Sequence, residues 1–132
     1  MINKNLLYVS ILLLFLIIIS GCRVDQTSEA AQAAEHYYQA LVNKDENTMI
    51  NLSCSDWESD TKLMYDSFAA VELTLENLAC QQTPKDEHYI VSCSGNLIAS
   101  YGAEKLEIDI AERPLVVIKE GGEWRVCGYH GE

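Results

Sequence analysis

At Phe68 the apolar residues change their spacing, and that change restricts the possible folds more than any motif does. Upstream, Ala30, Ala33, Ala34, Tyr37 and Leu41 recur at helical intervals behind a candidate cap at Ser28, until Asn43-Lys44-Asp45 ends the run. Asn47 to Leu52 reads as a short second helix bearing Met49, Ile50 and Leu52. After Ser53-Cys54-Ser55-Asp56, a third helix places Trp57, Thr61, Met64 and Phe68 on one face. Downstream the apolar residues alternate and β-branched types become frequent: Val71, Leu73 and Leu75, then Tyr89 to Ser100, then Leu106, Ile108 and Ile110, then Leu115 to Lys119, then Trp124 to Tyr129. Helices followed by a run of strands predict an α+β domain over residues 28–132, with the helices packed on one face of an antiparallel meander.

The turns fix the register. Asp86-Glu87 lies midway between two strands, Gly102-Ala103 suits a type II′ turn, and Gly121-Gly122 suits a type I′ turn. With a two-residue turn at Asp86-Glu87, Lys85 pairs with His88, and counting outward makes Cys80 and Cys93 a directly opposed, non-hydrogen-bonded pair. Such a pair can accept a disulfide. A longer loop there would shift the register and remove that juxtaposition. Cys80 with Cys93 leaves Cys54 with Cys127.

A turn at Gly102-Ala103 sets Ala99 opposite Leu106, Leu97 opposite Ile108 and Gly95 opposite Ile110, all on the face shared by Cys93. Continued alternation through Pro114 adds Val116, Ile118 and Cys127 to that helix-covered face, with Cys54 reaching Cys127 from above. Val71, Leu73 and Leu75 have the opposite parity to Leu78 and Cys80. Either a β-bulge near Glu76-Asn77 brings both sets inward, or the strand ends at Glu76 and Cys80 sits in a loop. The other face then carries Leu115, Val117, Trp124 and Val126, either an apolar patch for a dimer or partner or a local mini-core.

The N-terminus carries a separate signal. One cation, Lys4, precedes an apolar run from Leu6 to Ile19 that is shorter than the roughly 20 residues a spanning helix needs. The run closes on Ile19-Ser20-Gly21-Cys22, a junction that resembles a bacterial lipobox. The resemblance implies a cleaved signal peptide at 1–21, a diacylated Cys22, a polar tether over 22–27, and a place on the exported side of the cell membrane or outer membrane. The bland alternative is an uncleaved signal anchor. Two or more acyl chains hold a protein stably at a bilayer, so the expected membrane partner is reached through lipid alone.

Twenty Asp and Glu face nine Lys and Arg. Removing the leader takes away only Lys4, so the rest is still more acidic, and nucleic acid is not an expected partner. The four remaining cysteines are an even number in an exported chain, which favours two disulfides. No CxxC occurs and His36, His88 and His130 stand at unrelated spacings, so neither zinc nor thioredoxin-like redox chemistry is expected. The acidic run Asp56, Glu58 and Asp60 lacks the spacing and glycine of a calcium loop.

Three helices, the third running through Trp57 and Phe68, the segment HYYQALVNKDENTM and the closing hairpin LVVIKEGGEWRVCGY together resemble the nuclear transport factor 2-like superfamily of cystatin-like α+β folds. The resemblance covers roughly residues 28–130. It implies a strongly curved sheet, a cone between helices and sheet, and dimerisation through the open sheet face. An isomerase-like member needs an inward carboxylate base and a buried hydroxyl or acid. Tyr38, Tyr65 and Tyr101 can supply hydroxyls, but Glu72, Glu107 and Asp109 fall on the solvent face, and no position matches the family's active-site pattern.

The expected function is therefore a cell-envelope lipoprotein with a small non-catalytic binding or assembly domain, without cofactor or metal, partnered by a second copy or another envelope protein. The alternative is a small-molecule pocket with isomerase- or lyase-like activity. A cone filled by Trp57, Met64, Phe68 and the sheet's Leu and Ile residues favours the first. A cavity of mixed apolar lining with one inward carboxylate favours the second.

Overall fold

The computed structural model describes residues 28–132. The expected signal segment 1–21, Cys22 and the tether 22–27 lie outside the described residues. Among the described residues three helices come first, α1 (Glu29–Val42), α2 (Glu46–Asn51) and α3 (Glu58–Phe68), the last entered through a 3₁₀ turn at Ser55–Trp57. Five strands follow: β1 (Glu72–Lys85), β2 (His88–Tyr101), β3 (Glu104–Asp109), β4 (Leu115–Glu120) and β5 (Glu123–Tyr129).

Small residues set how α1 packs. Ala30, Ala31, Ala33, Ala34 and Ala40 are buried with Tyr37, Tyr38 and Leu41, so the helix backbone lies close to the sheet on one side and to α2 on another. Ser28 does not cap α1 with its side chain; its Oγ accepts from Gln32 Nε2 at 3.2 Å. Asp45 caps α2, accepting from Thr48 N at 3.1 Å and Thr48 Oγ1 at 2.7 Å. These bonds, the side-chain one first, hold the Asp45 carboxyl below its ordinary range.

The β1–β2 hairpin has the expected register, Lys85 opposite His88 and Cys80 opposite Cys93, and the latter two form a disulfide. In a non-hydrogen-bonded pair the backbone N–H points away from the partner strand. The Cys80 N–H accordingly donates to Glu35 Oε1 of α1 at 3.0 Å. The register slips between Glu76 and Ala79, and Asn77 takes φ +56 there. This bulge turns Leu73, Leu75, Leu78 and Cys80 to the same side, where all are buried or half-buried, while Glu72, Thr74, Glu76 and Ala79 are exposed. Gly95 faces the bulge with φ +115.

The second half of the sheet departs from a simple meander. β3 pairs with β2 over 96–101, as the Gly102-Ala103 turn predicts, but it ends at Asp109 and does not pair with β4. Asp109 Oδ1 accepts from Ala111 N at 2.9 Å and opens a 3₁₀ turn at Ile110–Glu112. Pro114 then follows without an N–H to continue a ladder. β4 begins again on the same edge of β2, with Tyr89 opposite Val117 and Val91 opposite Leu115.

That interruption reverses the parity expected for β4. Leu115, Val117 and Val126 are core residues with 0 to 1% exposure, so the predicted apolar patch of Leu115, Val117, Trp124 and Val126 is not a surface. Trp124 is half-buried, its ring edge-on to Tyr89 at 5.1 Å between centroids. Val116 and Ile118 are half-buried on the outer face instead. Cys127 bonds to Cys54, but from the side of the sheet and not from above. Ser53 bridges Val126 in parallel, Cys54 N donates to Val126 O at 2.9 Å, and Val126 N donates to Leu52 O at 2.7 Å.

Beneath α3 a chain of buried hydroxyls has a defined direction. Ser53 Oγ donates to Met49 O at 2.9 Å, so its only proton is used. Thr61 Oγ1, 2.7 Å away, must then donate to Ser53, and Tyr37 Oη, 3.0 Å from Thr61, must donate to Thr61. Thr61→Val keeps the shape but leaves the Tyr37 hydroxyl without this acceptor, which is expected to cost about 1–3 kcal/mol. Urea denaturation checks it; a loss no larger than that of Thr48→Val at the exposed α2 cap would remove the network from the account of stability.

Candidate functional site

Between α1, α3 and the inner face of the sheet lies a cavity of about 220 Å³. Leu41, Met64, Phe68, Leu97, Ile108 and Ile110 form its apolar wall. Met64 and Phe68 line this space and do not fill it. Trp57 lies elsewhere, edge-on to Tyr129 at 5.8 Å between centroids and over Gly128.

Four polar side chains complete the lining: Tyr38, Asp109, Arg113 and Tyr129. Tyr38 is 6% exposed, and its hydroxyl makes no hydrogen bond among the described residues. Burial pushes its phenol far above the ordinary value. Burial also pushes Tyr129 up to about 12, and its hydroxyl makes only a long contact to Met64 Sδ at 3.8 Å. Both phenols therefore keep their protons at neutral pH and present donors.

The Arg113 guanidinium stacks over the Tyr129 ring at 3.9 Å and pairs with the Glu132 carboxylate. It lies close enough to both phenols to favour their ionised forms, against the larger effect of burial. Asp109 is exposed at the rim, and one of its oxygens holds the N–H of Ala111.

Of the hydroxyls expected from the sequence, only Tyr38 reaches this cavity. Tyr65 donates to Lys44 O at 3.2 Å, and Tyr101 is exposed. Of the acids, Glu72 and Glu107 are exposed away from the cavity, whereas Asp109 borders it because the 3₁₀ turn breaks the strand at that point. Asp56, Glu58 and Asp60 lie exposed at the entry to α3, where a helix N-terminus favours acids. Sequence reasoning missed Arg113 and Tyr129. The only available signal was a lone cation in the short link before Pro114 and an aromatic closing the last strand.

A second, polar groove of about 490 Å³ runs between α1, α2 and the β4–β5 turn. Trp124 Nε1 donates there to Glu29 Oε2 at 3.1 Å, so the indole and this acid satisfy one another.

No protein-family profile matches the sequence, and no curated protein matches it. Solved structures do share its fold. A protein of unknown function from Nostoc punctiforme with a cystatin-like fold superposes with a TM-score of 0.51 at 13% identity, covering 74% of this chain and 83% of that one. The helical cell shape determining protein Pgp2 from Campylobacter jejuni superposes with a TM-score of 0.50 at 12% identity over 74% of this chain. The chain spans 38% of the Pgp2 chain. The class that the helices, the curved five-stranded antiparallel sheet and these likenesses define is a cystatin-like α+β domain.

Proposed function

We propose that the chain is an exported, lipid-anchored binding protein whose nuclear transport factor 2-like domain, residues 28–132, holds a small molecule without transforming it. Residues 1–21 serve as the cleaved signal and Cys22 carries the lipid, as the Ile19-Ser20-Gly21-Cys22 junction implies. Two disulfides support an oxidising, exported location. Among the described residues no helix is long and apolar enough to cross a membrane.

The observation that carries the binding reading is the cavity itself, walled by six apolar side chains and edged by two phenols, of which Tyr129 makes only a long contact to Met64 Sδ. An isomerase-like base would need a free carboxylate within reach of the substrate. Among the described residues the one carboxylate lining the cavity, Asp109, is exposed and caps the 3₁₀ turn, which favours binding over proton transfer.

Ligand-observed NMR of the full chain with a panel of small aromatic and aliphatic fragments tests the reading. Ile108→Trp, which fills the cavity, is expected to abolish fragment binding, while Leu63→Trp on the 67% exposed outer side of α3 leaves it unchanged. Equal binding by all three proteins would place the fragments elsewhere and defeat the proposal. Palmitate labelling that persists in Cys22→Ser would defeat the anchoring half.

A further inference from the structure

Resting on that reading, we infer that the cavity's ligand is a small organic acid, whose carboxylate sits between Arg113, Tyr38 and Tyr129 and whose apolar body faces Met64, Phe68 and Ile108. The polar groups argue for an acceptor. Three of the four are donors, and the fourth, Asp109, already accepts from Ala111 N. Among the described residues Arg113 is the only cation lining the cavity, and a guanidinium stacked on one phenol ring and sharing the lining with a second phenol offers charged and neutral donors that match the two oxygens of a carboxylate better than any neutral acceptor.

The structure also contains a stand-in for that ligand. The Glu132 carboxylate occupies the Arg113 guanidinium at the rim, with both side chains more than half exposed. An exposed ion pair of this kind contributes little to stability, so a ligand carboxylate can displace it at small cost. Glu132 thus acts as a built-in competitor. The guanidinium stays positioned by the Tyr129 ring throughout. A volume of about 220 Å³ is below the roughly 300–1,000 Å³ of sites for drug-sized molecules, which suits a single ring or a short acyl chain.

Calorimetric titration of the full chain with 4-phenylbutyrate and with its uncharged amide separates the possibilities. The acid is expected to bind about tenfold tighter than the amide, as a charge-assisted hydrogen bond exceeds a neutral one. Arg113→Gln, an exposed change checked for folding by circular dichroism, should remove that preference while leaving amide binding intact. Glu132→Gln should tighten the acid alone. Equal binding of acid and amide, both lost in Ile108→Trp, would overturn the acid assignment and leave the binding reading standing. Weaker acid binding by Glu132→Gln would overturn the competitor role. Failure of both probes and of every fragment would remove the cavity as a binding site, and this inference with it.

Discussion

Replacing Cys54 and Cys127 together by serine is expected to cost about 4 kcal/mol, the largest loss from any covalent change in the domain. The bridge spans a sequence separation of 73, against 13 for Cys80–Cys93, and the chain-entropy relation gives about 4 and about 3 kcal/mol respectively. The difference has a structural side as well. Cys80 and Cys93 already face one another in a tight hairpin ladder, so that loop is short before oxidation. Cys54 and Cys127 join the helical half to the last strand, which nothing local would bring together. Guanidinium denaturation of the two double variants under non-reducing conditions checks the order. If the Cys80/Cys93 pair proved the costlier to lose, loop closure would not be the source of the stabilisation.

Gly95→Ala is expected to destabilise the domain by about 3 kcal/mol, since overpacking and a disallowed backbone conformation act together. A Cβ at Gly95 would stand 2.5 Å from Glu76 O and 2.8 Å from Asn77 O, both backbone atoms of the bulge. Neither can move without undoing the turn that brings Leu78 and Cys80 inward. The control is Gly102→Ala, where φ is +65 but nothing lies within 4 Å of the added carbon; only the backbone term remains there, about 1 kcal/mol. Thermal denaturation of both variants distinguishes collision from conformational preference. Equal losses would mean that the bulge yields and that its position is not fixed by Gly95.

The first half of this architecture was legible because its signals are local. Ala30, Ala34, Tyr37 and Leu41 mark a helix face by spacing alone, and a two-residue turn at Asp86-Glu87 determines every pairing back to Cys80 and Cys93. The parity conflict between Leu75 and Leu78 left either one added residue or a strand ending at Glu76, and the structure has the added residue as a bulge. Reasoning by parity failed at Ile110–Pro114 for the same physical reason that made it work elsewhere. A period of two carries no memory through a 3₁₀ turn, so Leu115 and Val117 moved from the expected outer face to the core. The cavity was less legible still. Tyr38, Arg113 and Tyr129 come from a helix, a five-residue link and the final strand, and no spacing in the sequence relates them.

The strip from Leu52 to Cys54 lies along the free margin of β5, with backbone bonds on both sides of Val126 and a covalent link one residue further on. At the opposite margin, the Glu35 side chain accepts from the outward N–H of Cys80 midway along β1 and covers it. Strand addition is therefore blocked along β5 and interrupted midway along β1, while the outer edge of β3, which pairs only with β2, stays open. Assembly through the edges of β5 and β1 is thereby disfavoured, which leaves the faces, the loops and the outer edge of β3.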